Sequence, residues 1–278
     1  MTKVPAQPHW TERVYRENPR LLFDVEAAIF QNQNLTNREL AMVKRLAKHL
    51  QVDMRSPVID IACGPGRHSI ALATDGYKVT GLDFSPGLLE LAKESAAAAK
   101  LPGEGPSFVS GDMRSLDHAD QSFATVLMLG NSFGYFSDED NLRALGEACR
   151  VLQRGGFFCL EITNKVSYME AFEPVEEEFV EGRFHPRLKC EWSKTWDPAS
   201  QRVTTYEKHS VADTGEVLYE GPYDVRLYEQ DEIVAMLESL GLRKVTCVPF
   251  TPGRESLTEG LGETFGSLEE VLFVGGTK

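Results

Sequence analysis

No apolar run in this 278-residue sequence approaches the roughly 20 residues that a membrane-spanning helix needs. The first residues, Met1-Thr-Lys-Val-Pro-Ala-Gln-Pro-His, lack the apolar centre of a secretion signal. Neither a membrane anchor nor export is expected. Cysteine is sparse: Cys63, Cys149, Cys159, Cys190 and Cys247 are scattered, with no Cys-x-x-Cys pair. That spacing argues against a disulfide framework and against a structural zinc site, and it suits a reducing cytoplasm. Basic residues are also short, with 29 Lys and Arg against 42 Asp and Glu, a formal charge of −13. Such a surface repels phosphate backbones, so a nucleic-acid substrate is disfavoured. No internal repeat occurs.

The chain does hold an ordinary globular composition, 42% hydrophobic, in a length that allows one large α/β domain with an insertion or two small domains. From Trp10 to about Leu50 the apolar spacing is helical, broken at Asn18-Pro19, with Thr36 and Glu39 reading as the capping box of a second helix. From residue 57, strands and helices alternate. Strands are expected at 57–62, 78–82, 107–110, 123–129 and 157–162, with helices after Arg67, after Ser85-Pro86 and over 138–152, the last ending at Arg154-Gly155-Gly156. Repeated β-α-β units imply a doubly wound, mostly parallel sheet. Glu176-Glu177-Glu178 reads as a solvated loop. Residues 186–228 then change rhythm to alternating, aromatic-rich runs, expected as a small antiparallel sheet with a core of Trp192, Trp196 and Tyr206. A helix at 230–240, strands at 242–250 and 271–274, and a glycine-rich loop at 252–267 complete the reading. The expected division is an N-terminal helical cap (1–50), the sheet domain (51–167 and 229–278) and the antiparallel β insertion (168–228).

Val58-Ile-Asp-Ile-Ala-Cys-Gly-Pro-Gly-Arg-His68 is the most informative stretch, a buried strand running into a glycine turn and a helix. The third glycine of a dinucleotide fingerprint is missing, since the pattern runs Gly64-x-Gly66-x-x-Ser69. Open α/β sheets bind ligands at the carboxyl ends of their strands. Those ends carry Ala62-Cys63-Gly64, Asp83-Phe84, Gly111-Asp112-Met113 and Gly130-Asn131-Ser132. Asp83 lies 23 residues past Asp60, close to the roughly 20-residue offset at which a carboxylate meets a ribose diol.

Asp60-x-Ala62-Cys63-Gly64-Pro65-Gly66, Gly81-Leu82-Asp83-Phe84-Ser85 and Gly111-Asp112-Met113-Arg114, in this order, resemble the core of class I S-adenosylmethionine-dependent methyltransferases over roughly residues 40–165. Where Ala62 stands, that family usually has glycine. The resemblance implies a seven-stranded, Rossmann-like sheet with a small antiparallel β insertion after strand five, and S-adenosyl-L-methionine as cofactor. It implies that the methionine part lies over Ala62–Gly64, the ribose at Asp83 beside Phe84, and the adenine amino group at Asp112 with Met113 on the ring. Asp60 either meets the cofactor amino group or holds the turn through backbone N–H groups. Arg67, Leu129, Gly130 and Arg20 join the expected cofactor set. Asn131-Ser132-Phe133-Gly134-Tyr135 and the insertion are similar to sugar N-methyltransferases of antibiotic pathways and to glycine N-methyltransferase relatives, in which the insertion roofs the acceptor.

The expected activity is therefore methyl transfer to a nitrogen or oxygen of a small molecule, without a metal. An RNA or protein methyltransferase, or a cofactor-binding protein of this fold without catalysis, are the alternatives. Asn131 and Ser132 are the expected acceptor contacts, and Tyr135 and Tyr15 the catalytic candidates, each with packing as its plain alternative. His68 and Cys63 read as packed residues, and His185 and His209 as exposed strand positions. Aromatic mass from Trp192, Trp196, Tyr206, Tyr219 and Tyr223 is expected to wall the pocket. The insertion is expected to cover the acceptor or to mediate dimerisation.

Overall fold

The computed structural model of the protein describes residues 9–101, 103–250 and 271–278. The 252–267 loop lies outside the described residues. A π-helical turn at Glu12–Arg16 leads into α1 (Pro19–Val25), α2 (Ala27–Phe30) and the long α3 (Gln33–His49). The sheet elements follow as β1 (Val58–Ile61), α4 (Arg67–Thr74), β2 (Val79–Asp83), α5 (Pro86–Ala98), β3 (Ser107–Ser110), β4 (Phe123–Met128), α6 (Asp138–Val151) and β5 (Leu152–Thr163). After α7 (Lys165–Glu170) come β6 (Val175–Val180), β7 (Leu188–Asp197), β8 (Arg202–Val211) and β9 (Val217–Arg226). The chain then returns through α8 (Gln230–Ser239), β10 (Arg243–Phe250) and β11 (Val271–Thr277).

The seven-stranded sheet has the order β10-β11-β5-β4-β1-β2-β3, parallel throughout except for β11, which pairs antiparallel with both neighbours. The two-residue period of its strands sorts the core into two layers. Ile59, Ile61, Val126, Met128, Phe158 and Leu160 point to one face, where Leu145 and Ala148 of α6 and Ile233 and Leu237 of α8 cover them. Val58, Leu127, Phe157, Cys159 and Phe273 point to the other, under Leu40, Val43 and Leu46 of α3 and Leu72 of α4. Strands buried on both faces read as continuous apolar runs, which is why β1 and β4 were legible in the sequence.

Several expectations are corrected. Thr36 is not the cap of α3: Asn32 holds that place, its side chain accepting from the Leu35 N–H at 2.9 Å. The Thr-x-x-Glu pattern was misleading because Thr36 and Glu39 are buried and meet Arg67 instead. α6 ends at Val151 and β5 begins at Leu152, so Gly155-Gly156 lies within the strand, at a register shift against β4. Glu176-Glu177-Glu178 is not a loop but the edge strand β6 of a four-stranded antiparallel sheet, order β6-β7-β8-β9. The runs ending at Tyr219 and starting at Tyr223 are one strand, β9, an edge strand where Pro222 leaves no inner hydrogen bond unmade.

The N-terminal segment is wedged between the two sheets. Trp10, Val14, Leu22 and Phe23 pack with Leu88 and Leu91 of α5, and Tyr135, Tyr219, Tyr223 and Val225 press on the same cluster. Asp24 of α1, fully buried, fastens this wedge to the insertion. Its carboxylate accepts from the Arg183, Phe184 and His185 N–H groups at 2.7, 2.9 and 2.9 Å, and it pairs with His185 Nδ1 at 2.9 Å.

Candidate functional site

The carboxyl ends of β1, β2, β4 and β5 form the floor of one cavity of about 750 Å³. The N-terminal segment and the buried face of β8 and β9 form its roof, through Trp10, Tyr15, Thr205, Glu207 and Tyr223. Ala62 holds a left-handed conformation, φ 59°, at the point where β1 turns, although it is not glycine. Gly64 (φ 54°) and Gly66 (φ 80°) continue the turn, and Gly66 starts α4. A Cβ on Gly64 would meet no atom within 4 Å, so the turn opens onto empty space.

Asp83, at the end of β2, faces the cavity and grips the turn. Its Oδ2 accepts from the Gly64 N–H and its Oδ1 from the Ser85 N–H, both at 2.9 Å. Burial pushes its carboxyl up to about 6 against these hydrogen bonds. Ser85 Oγ donates to the Tyr15 carbonyl oxygen at 2.6 Å, tying the roof to the same loop. Phe84 and Met113 also line the cavity.

After β4, Gly130 (φ 72°) and Asn131 (φ 53°) are both left-handed, and the Gly130 N–H donates to Glu161 Oε2 at 2.9 Å. Leu129, Gly130, Asn131 and Ser132 line the cavity, and the buried Ser132 Oγ has no protein partner among the described residues. Arg67 lines the cavity too, bound to Glu39 through both nitrogens of its fork, and Glu39 Oε2 also meets His68 Nε2 at 2.8 Å. Burial works against ionised Glu39, but His68 and Arg67 together hold its pKa below the usual value. Burial, reinforced by Glu39, lifts Glu161 to about 7.

Three expected cofactor residues stand elsewhere. Asp60 is buried behind the turn and accepts from Ser69 Oγ at 2.6 Å and from the Ser69 backbone N–H, a brace from strand to helix. Asp112 is gripped by Arg114, with Nε–Oδ1 at 3.0 Å and Nη2–Oδ2 at 2.7 Å, and does not line the cavity. Arg20 is exposed, its guanidinium 5.3 Å from the centre of the Phe184 ring.

Tyr15 and Tyr135 do meet, hydroxyl to hydroxyl at 3.2 Å, inside the cavity. Burial pushes Tyr135 up to about 12 and Tyr15 well above the usual range, so neither is a phenolate near neutrality. As hydrogen-bonding groups they fit; as general bases they do not.

The insertion departs most from expectation. Val203, Thr205, Glu207 and His209 are the buried alternate positions of β8, whereas Tyr206 is 45% exposed and belongs to no core. His209 is therefore buried, and His185 sits in a loop bonded to Asp24. Of the aromatic residues expected to wall the pocket, Tyr223 lines it; Trp192, Trp196, Tyr206 and Tyr219 do not. Glu26, Glu39, Glu161 and Glu207 were missed. Glu26 and Glu207 lie in polar positions where a carboxylate reads as solvated, Glu39 reads as part of a capping box, and Glu161 is hidden inside the apolar run of β5.

Residues 58–156 match the family described as a methyltransferase domain. The chain thus carries a methyltransferase domain. It is 25% identical to a demethylmenaquinone methyltransferase of Shouchella clausii, over 83% of this chain and 91% of that protein. A demethylmenaquinone methyltransferase of Staphylococcus aureus is 38% identical over 42% of this chain, and that match spans about half of the relative, 48%. In fold the methyltransferase resembles SAM-bound CalS10, an amino pentose methyltransferase from Micromonospora echinaspora, with a TM-score of 0.64 at 20% identity, covering 92% of this chain and 98% of that one.

The buried acids of this methyltransferase make its stability fall as pH rises. Asp83 titrates at about 6, and Glu26 and Glu161 at about 7, above unfolded values near 4. Between about pH 4.5 and 7 the folded chain thus holds more protons than the unfolded chain, and stability is lost through that window. His9, whose pKa is lowered by desolvation, works in the opposite direction but is one exposed group. The ligand-free protein should melt several degrees higher at pH 5.5 than at pH 7.5 in a calorimetric scan; a higher melting point at 7.5 would refute the burial of these acids.

Proposed function

We propose that this methyltransferase moves the methyl group of S-adenosylmethionine to a nitrogen or oxygen of a small molecule held under the roof. The cavity carries this reading: at about 750 Å³ it has the size of a small-molecule cleft, and it is enclosed by the N-terminal segment and the insertion. The donor brings a sulfonium already activated for transfer. The chain's task is to align the acceptor lone pair with the methyl carbon, and alignment of this kind lowers barriers by about 7–11 kcal/mol.

In this reading the open turn at Ala62–Gly64 and the Ser132 hydroxyl face the methionine part, with Arg67 beside them, and Asp83 takes the ribose hydroxyls with Phe84 and Met113 flanking the adenine. Arg67 is already committed to Glu39, so it offers the donor's carboxylate its remaining N–H groups and not a bare charge. Asn131 and the Tyr15–Tyr135 pair face the acceptor. A reducing cytoplasm suits the five free cysteines. The formal charge of −13 disfavours a nucleic-acid acceptor. The exposed edge of β6 leaves room for a homodimer through the insertion.

The test is incubation with methyl-labelled donor and, separately, a low-mass metabolite extract, total RNA or genomic DNA. Label should enter the low-mass fraction alone; label in a polymer refutes the reading. Tyr135→Phe should lower turnover about tenfold, the worth of one neutral hydrogen bond to the acceptor, without shifting affinity for S-adenosylhomocysteine. An unchanged rate would leave Tyr135 as packing.

A further inference from the structure

The roof of the cavity holds two carboxylates that no Lys or Arg among the described residues pairs with. Glu26 follows α1, and Glu207 projects from the buried face of β8; both line the cavity. Glu207 is 6% exposed, its Oε2 lies 3.2 Å from His209 Nε2, and its Oε1 is buried without a partner among the described residues. The ionisable neighbours felt by Glu26 are Glu207, His209 and Glu178, two of them acids. Burial first, and Glu207 second, lift Glu26 to about 7. The cavity's arginines serve other places: Arg67 is bound to Glu39 at the floor, and the Arg38 guanidinium lies 5.8 Å from the Phe250 ring centre.

Four aromatic rings close around the same space. Trp10 meets Tyr135 edge-on at 5.0 Å between centres, Tyr223 at 5.4 Å and Tyr15 at 5.9 Å, and all four line the cavity. A buried acceptor atom left unpaired costs about 1–3 kcal/mol, so Glu207 Oε1 calls for a donor from a ligand. An ammonium supplies three N–H donors and the missing positive charge, and clustered aromatic faces attract cations, methylated ammonium among them.

We infer that Glu26 and Glu207 make the site selective for an acceptor that arrives as a protonated amine, and that one of the two carboxylates takes the proton which blocks its lone pair. This rests on the methyl-transfer reading and narrows it to nitrogen. The ammonium N–H gives its proton to a carboxylate oxygen, and the nitrogen keeps the pair. That pair forms the N–C bond while the C–S bond breaks, its electrons remaining on sulfur.

The experiment uses the full chain, methyl-labelled donor and a low-mass metabolite extract, with products separated on cation and anion exchangers at pH 7. Labelled product should bind the cation exchanger. Glu207→Gln and Glu26→Gln should each cut the rate by at least about tenfold, mainly through a raised KM for the amine, with affinity for S-adenosylhomocysteine within about twofold. Should Glu207→Gln fail to bind S-adenosylhomocysteine, Glu26→Gln, in the N-terminal half of the roof, carries the same expectation. Neutral or anionic labelled product overturns the inference while leaving methyl transfer intact. So do glutamine variants that keep the rate, or that lose donor and acceptor binding equally, which would assign the acids to the sulfonium. No label in any fraction, with S-adenosylhomocysteine still bound, overturns methyl transfer itself and this inference with it.

Discussion

Asp83→Ala should weaken binding of S-adenosylhomocysteine by at least tenfold in a calorimetric titration. The carboxylate has two duties, and the substitution removes both. In the proposed reading it offers the acceptor oxygens for the ribose diol, where a hydrogen bond to a charged group contributes about 1.5–3 kcal/mol. It also anchors the Gly64 and Ser85 N–H groups at 2.9 Å, so its loss frees the turn on which the methionine part is expected to rest. Asp83→Asn separates these duties, because an amide keeps the shape and one acceptor but carries no charge. It should retain most of the thermal stability and still lose affinity. Full affinity in both variants would remove Asp83 from the cofactor site.

Gly66→Ala should have the largest effect on the fold. Gly66 stands at φ 80°, and a Cβ there would lie 2.8 Å from Phe108 Cζ and 3.0 Å from Ala92 Cβ. The left-handed backbone costs about 1–2 kcal/mol for an L residue, and overpacking adds typically 1–3 kcal/mol. In a chain of this length each kcal/mol lowers the melting temperature by about 2–4 °C, so a fall of roughly 5–15 °C is expected in a thermal scan. A fall of under a degree would mean that the Phe108 ring gives way and that the turn tolerates a side chain. Gly64 is the control: it is left-handed as well, yet its Cβ would meet nothing, so Gly64→Ala should cost only the backbone part in stability while obstructing the ligand.

The contrast between those two glycines marks how far the sequence could be read. The strands and the glycine turn announce themselves locally, through continuous apolar runs and residues that tolerate unusual backbone angles. Asp83 was found because its distance along the chain is set by one β-α-β unit. Asp112 was not foreseen as an ion-pair partner, because nothing in the order of residues says that Arg114, two positions on, folds back onto it. The cap of α3 was misplaced because Thr36 and Glu39 satisfied a local pattern while being used for a distant contact with Arg67. Glu26 and Glu207 are the clearest case. They lie far apart in the chain and each occupies a polar position, and only the folding of the insertion over α1 makes them neighbours across a cavity. The same register turns Thr205 and Glu207 inward and Tyr206 outward, the reverse of what hydrophobicity alone suggests.

The Asp24 fastening has a consequence for the motion of the roof. Because one buried carboxylate gathers the backbone of residues 183–185 onto α1, the two halves of the roof are riveted into a single hood, and a shift of one half carries the other with it. The Tyr15 carbonyl, resting on Ser85 Oγ, ties that hood in turn to the loop after β2. Asp83, which holds the Ser85 N–H, thus steadies the residue on which the whole hood is anchored.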